Sequence, residues 1–274
     1  MTAYSLDHVA LAVRRWHQAG PVLAGRFGGR WDSGYVQPVF CPAQIEYADG
    51  MRVELLEPGA DPGSFVRRFL DGRQAAALPH HITFKVRDIR ATLEAARAHG
   101  FEPILVNLAN AYWQEGFLHP KDTGLGFLVQ VAQAAGSPKD IAGDMPGAHP
   151  SPPWPTPEGP RAALPVVAGR VAGWDRARTV LCDILGGVES SPAPGVSVFA
   201  WRSGAELLLT ADPGAAPGLR LLAFRGDGTT SWEAPEVLEA AEREPVVPEL
   251  GIRVTDLAAD AGAGSKEGTV PTRR

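Results

Sequence analysis

The chain has 274 residues, of which 45% are hydrophobic and 21% charged, and its formal net charge is −5. That balance describes a globular chain with a substantial core, enough for one large domain or two ordinary ones, and it excludes a basic footprint for nucleic acid or an anionic membrane. No stretch approaches the ~20 apolar residues that span a bilayer, and the N-terminus MTAYSLDH lacks the pattern of a signal peptide. Cys41 and Cys182 stand far apart in apolar segments, so reduced thiols in a cytoplasmic protein are expected.

The first element is DHVALAV at 7–13. Its alternation puts Val9, Leu11 and Val13 on one face and His8, Ala10 and Ala12 on the other. A helix follows and closes at Gly28-Gly29. Strands are then predicted at WDSGYV, AQIEYA and MRVELLEP, the last two joined by the hairpin signal Asp49-Gly50. Next comes HITFKV, with Ile82, Phe84 and Val86 opposite His81, Thr83 and Lys85. Asp88 caps a helix striped by Ile89, Leu93 and Ala96 that ends at Gly100. FEPILV, GFLHP and GFLVQVAQ supply three more strands, with a turn at 120–124.

The pattern strand–helix–strand–strand–strand is thus written twice, each time with a histidine in its first strand. A polar residue stands at the matching place of each last strand: Glu54 lies 46 residues after His8, and Gln130 lies 49 after His81. This is an internal repeat, and it offers two imidazoles, a carboxylate and an amide to one site. That donor set suits a borderline divalent ion such as Zn, Ni, Co, Fe or Mn.

Residues 134–163 are rich in Pro, Gly and Ser and read as a linker that divides a unit over 1–133 from a second over 164–258. In the second unit, VVAGRVAGWDRARTVLCDILGG repeats the strand, helix and Gly-Gly stop, and VSVFAWRSGAELLLTADP repeats the hairpin, with Glu206 taking the place of Glu54. Val166 and Leu221 replace the two histidines, so this half is expected to repeat the fold without the metal, and to pack on the first unit, shaping its cup or a homodimer. Residues 259–274 read as a frayed tail. His17, His99 and His149 are read as solvated, and His119 as stabilising its turn.

Over residues 5–133 the chain resembles the vicinal oxygen chelate superfamily, on the phrases DHVALAV, VELLEP, HHITFKV-DI and FLHPKDTG-FLVQVAQ. Its epimerase and glyoxalase I branch is the most similar. The resemblance implies an α+β fold of paired βαβββ modules forming a cupped mixed sheet, here with a second, degenerate pair. It also implies one divalent metal held by His8, Glu54, His81 and Gln130. Relatives of this branch carry a glutamate at the place of Gln130, and an amide cannot take a proton from carbon. Abstraction therefore falls to Glu54, the expected catalytic residue, or to hydroxide on the metal. Gln44, near the place of a second catalytic glutamate of the epimerases, and Tyr112 and Trp113 are assigned to a small-molecule substrate. The function implied is a lyase or isomerase that stabilises an enediolate or enolate of a small carbonyl or thioester compound. The alternatives are a sequestering protein like the bleomycin-resistance relatives and an extradiol-type dioxygenase.

Overall fold

The computed structural model describes residues 4–136, 147–155, 160–212 and 214–257. The expected tail and parts of the expected linker lie outside the described residues. The first half runs β1 (Ser5–Val13), α1 (Trp16–Phe27), β2 (Arg30–Gly34), β3 (Phe40–Glu46), β4 (Arg52–Pro58), α2 (Phe65–Asp71) and β5 (Ala77–Lys85). It continues with α3 (Ile89–Ala98), β6 (Ile104–Asn107), β7 (Trp113–Leu118), α4 (Pro120–Thr123) and β8 (Leu128–Ala134). The eight strands form one sheet in the order β2-β3-β4-β1-β5-β8-β7-β6. The two βαβββ modules therefore meet through their first strands, β1 and β5, which run antiparallel.

The second half comprises β9 (Ala163–Val171), α5 (Trp174–Arg178), which continues as a π-helical turn over Thr179–Ile184, β10 (Val188–Ala193), β11 (Val196–Ala200) and β12 (Glu206–Ala211). Then follow β13 (Gly218–Arg225), α6 (Ala234–Arg243), β14 (Val246–Val247) and β15 (Ile252–Asp256). Its sheet order is β10-β11-β12-β9-β13-β15-β14, the same arrangement with one strand fewer. This is the paired-module α+β fold expected from the repeat.

Local chemistry sets these boundaries. Gly28 ends α1 in the left-handed region at φ 65, which side chains disfavour. The Asp88 side chain accepts from the Ala91 amide and starts α3, as expected. The apolar faces of β1 (Val9, Leu11, Val13) and β5 (Ile82, Phe84) join Val167, Leu207, Leu209, Leu222 and Phe224 of the second sheet in one buried cluster. Phe27 of α1 stacks on Phe224 with ring centroids 4.3 Å apart, and Phe84 packs on Trp201. Burying a side chain of that size contributes about 1.5–3 kcal/mol. This shared core, rather than the connecting segment, joins the halves and leaves the opposite face of the first sheet to form a cup.

The segment 147–155 straps one edge of that cup. Val36 N donates to Gly147 O and His149 N donates to Gly34 O, extending the edge beside β2. The Trp154 ring lies against Trp31 and over α1, where a β-carbon on Gly20 would come within 2.3 Å of it. A glycine in mid-helix costs about 1 kcal/mol relative to alanine, and the close approach of Trp154 is the reason for it here.

Several expectations need correction. The turn at 120–124 is the one-turn helix α4, with His119 Nδ1 accepting from the Lys121 amide. Neither α2 nor β10 was expected: the first is only seven residues long, and the second is largely polar. His149 is exposed, but its ring packs on Trp16 and Trp31. Glu206 does not occupy the place of Glu54. In the first sheet His8 faces Arg52 and Ala10 faces Glu54; in the second Val166 faces Glu206 and Ala168 faces Leu208. The counterpart of Glu54 is Leu208, and Glu206 accepts instead from the Trp232 indole.

Candidate metal centre

Four neighbouring strands at the middle of the first sheet, β4, β1, β5 and β8, carry the site. Their registers produce two rows of side chains on the cup face. In one, Ala10 stands between Glu54 and His81; in the next, His8 and Thr83 stand between Arg52 and Gln130. The small Ala10 leaves room for the larger groups beside it. His8 and His81 both bring Nε2 to 3.6 Å from Glu54 Oε2. One donor atom from each of these three residues lies within 4.8 Å of the other two.

Around the donors, a buried network fixes their orientation. His8 Nδ1 meets Asp7 Oδ2 at 2.9 Å, so Nε2 is the nitrogen turned toward the centre. Asp7 also takes Arg52 Nη2 and Lys85 Nζ, each at 3.2 Å. Arg52 Nε donates to Gln44 Oε1 at 3.1 Å, and Gln44 Nε2 donates to Glu54 Oε1 at 3.4 Å. One buried arginine thus holds two of the donors, His8 through Asp7 and Glu54 through Gln44. On the other side His80 Nδ1 lies 2.8 Å from His81 Nδ1, which again leaves Nε2 facing the centre.

The electrostatics separate the two imidazoles. Burial alone would lower the His8 pKa, but the Glu54 and Asp7 carboxylates beside it raise it to about 9. Burial, with the neighbouring His80 and His8, drives His81 well below the ordinary histidine value. Burial also pushes His80 down to about 4. Burial opposes ionisation of Asp7, yet its hydrogen bond to His8 and the charges of His8, Arg52 and Lys85 hold it well below the carboxylate range. His81 therefore presents a neutral nitrogen, and its Nε2 is buried without a hydrogen-bond partner. A buried orphan lone pair beside a carboxylate and a second imidazole is the observation that fits a divalent ion.

The donors lie in the wall of a cavity of ≈ 570 Å³. Gln130 lines it too; its Oε1 accepts the Thr83 hydroxyl and its Nε2 donates to Glu115 Oε2 at 2.6 Å. Trp113 and Gln44 are among the lining residues, whereas Tyr112 is 60% exposed and is not among them. Glu115 was not singled out in the sequence, although it alternates with Trp113 and Phe117 on one face of β7. Its carboxyl pKa is raised, chiefly by burial. Tyr35, also in the wall, has its phenol pKa raised by burial and by Glu54, so it remains a neutral hydroxyl.

Fold and centre together define a cupped, paired-module protein with a two-histidine, one-carboxylate cluster. Residues 7–117 match the family described as the Glyoxalase/Bleomycin resistance protein/Dioxygenase superfamily. No curated protein is a significant match. A triple mutant of 4-hydroxymandelate synthase from Streptomyces coelicolor is 14% identical with a TM-score of 0.56, covering 82% of this chain and 71% of that one. A xylose isomerase-like TIM barrel/4-hydroxyphenylpyruvate dioxygenase fusion protein is 17% identical with a TM-score of 0.53, covering 82% of this chain and 36% of that one. Methylmalonyl-CoA epimerase from Mycobacterium tuberculosis is 24% identical with a TM-score of 0.43, covering 50% of this chain and 91% of that one. At their identities, the likeness to the first two is one of fold alone.

Proposed function

We propose that the chain is a divalent-metal-dependent lyase or isomerase acting on a small carbonyl compound. The convergence of His8, Glu54 and His81 around an unpartnered buried Nε2 carries this reading. Those three residues, with Gln130 as a fourth, would hold the ion. When bound, it would polarise a carbonyl oxygen and stabilise negative charge as a neighbouring proton leaves.

The chain's own groups supply the rest. Asp7 keeps His8 in one orientation, and His80 does the same for His81. Gln44 is engaged by Arg52 and Glu54, so its part is to position Glu54 as well as to face the substrate. Proton abstraction from carbon falls to a carboxylate, and the cavity wall contains two, Glu54 and Glu115. Glu54 is the proposed base; Gln130, where relatives carry glutamate, instead donates to Glu115. The Tyr35 phenol is suited to donate to a developing oxyanion. The free Cys41 and Cys182 accord with a cytoplasmic setting, and among the described residues no helix is long and apolar enough to cross a membrane.

The donor set favours a second reading, because two histidines and one carboxylate also serve non-haem iron(II) oxygenases. A third is sequestration of a small molecule without turnover. Metal analysis of the purified protein, followed by assay with each candidate ion, separates the three. Stoichiometric metal with oxygen-independent turnover supports the lyase or isomerase, oxygen consumption supports the oxygenase, and metal-independent binding supports sequestration. At matched metal content, Glu54→Gln should lose far more turnover than Gln130→Ala. Equal losses would remove Glu54 from its role as base.

A further inference from the structure

We infer that the cavity selects a flat, uncharged aryl carbonyl compound, and that it rejects coenzyme A thioesters and other phosphorylated substrates. The inference rests on the proposed reading of the site, since the donors His8, Glu54 and His81 fix where the carbonyl end lies. Aromatic rings make up much of the remaining wall. Phe40 and Phe65 lie together with centroids 5.3 Å apart, and Trp113 and Phe117 project from β7 on the other module. Phe117 stands edge-on to His81 at 5.8 Å, so ring surface begins directly beside a donor. Tyr35 adds a fifth ring. Such walls favour a planar ring, through apolar burial and through edge-to-face and stacked contacts.

Charge gives the exclusion. Among the described residues, no lysine or arginine lines the cavity, whereas two carboxylates, Glu54 and Glu115, do. The cations nearby are already engaged. Arg52 and Lys85 are paired with Asp7, and Arg73 lies over the Phe69 ring at 4.1 Å. Asn107 at the end of β6 and Asn110 in the β6–β7 connection are neutral. A phosphate lodged against the aromatic wall, away from the donors, would lose its hydration and meet no lysine or arginine, which is costly. An uncharged ring attached to a carbonyl meets neither obstacle.

Calorimetric titration of the full chain tests this with three probes: 2-hydroxyacetophenone, hydroxyacetone, which presents the same two oxygens without the ring, and acetyl-coenzyme A. Each titration is run on metal-free protein and on protein loaded with zinc or nickel. The expected result is saturable binding of 2-hydroxyacetophenone, at least about tenfold weaker binding of hydroxyacetone, and none of acetyl-coenzyme A. Trp113→Ala and Phe40→Ala, both at partly exposed positions, should each erode the preference for the ring while thermal unfolding stays near that of the parent. Saturable acetyl-coenzyme A binding, equal affinity for the two ketones, or no binding of any probe would overturn the inference. If ring preference persists in a protein that takes up no metal, the metal reading fails and the aryl pocket stands. If metal binds but the ring confers no advantage, the reverse holds.

Discussion

Where the first sheet carries His8, Glu54, His81, Thr83 and Gln130, the second carries Val166, Leu208, Leu221, Ala223 and Thr255 at the same register positions. In the second sheet these residues, apart from Thr255, form an apolar cluster with Val198 and Val237, and Trp232, Leu238 and Ala241 pack onto it. Helix α6 therefore packs across the second cup, whose face is covered by apolar side chains. The first cup has α2 only over its Ala10–Ala12 end, where Leu56, Val66 and Leu70 are buried. The same strand lattice yields a binding site or a core according to a few cup-facing side chains and the length of helix laid across them.

The comparison can be broken most directly at the imidazoles. His8→Ala or His81→Ala should abolish tight metal binding in a competitive chelator titration, because each removes a nitrogen donor that oxygen groups do not replace. Retained stoichiometric binding in either variant would remove that histidine from the centre. The second sheet should respond in the opposite way. Leu208→Glu copies the first cup's carboxylate into a buried apolar cluster without a partner. It should cost on the order of 3–5 kcal/mol in denaturant unfolding and gain no metal. A second metal equivalent would show that the filled cup can reopen.

A smaller effect is expected one layer behind the donors. Asp7→Asn leaves the ligand set intact but weakens the hold on His8, and should lower metal affinity by about 10–100-fold. An unchanged affinity would confine Asp7 to a structural role with Arg52 and Lys85. The smallest effect is with pH. In the metal-free protein the folded-state pKa of His8 is about 9, above its ordinary value of 6.5. A raised pKa contributes stability that is complete below the unfolded value and fades as pH rises through the folded one. Metal-free stability should therefore decline between about pH 6.5 and pH 9, whereas metal affinity should climb over the same window as His8 releases its proton. Metal affinity that stays flat across that range would show that His8 binds no ion.

His8, Glu54 and His81 were legible because period-two alternation and an internal repeat point to the same positions. The structure places their donor atoms together. Asp7 and His80 were not legible, for a shared physical reason. Strict alternation turns both away from the cup, but each sits at a β-bulge: Leu6 faces Phe84 and His8 faces Thr83, while Ala10 faces His81 and Leu11 faces Pro79. An extra residue on one strand re-aims its side chain, and no composition signal announces it here. Arg52 and Glu115 were readable in principle, since they alternate with Glu54 and with Trp113 and Phe117. They lacked a counterpart in the other module, so the repeat offered no reason to single them out. The offset of Glu206 arose because the hairpin phrases align by wording, whereas strand register is set by backbone pairing.

The strap over 147–155 bears on how this chain can be divided. Its backbone pairs with Gly34 and Val36, and Gly34 and Tyr35 are themselves part of the cavity wall. A fragment ending at residue 133 would keep every proposed ligand yet lose the segment that seals this margin, leaving the β2 edge with unmet hydrogen-bonding groups, a template for pairing with other chains. The unit that carries the candidate site is thus completed by polypeptide beyond its own sequence repeat. Any attempt to transplant the half that carries the candidate metal centre into another protein should take the strap, and Trp154 with it, as part of the graft.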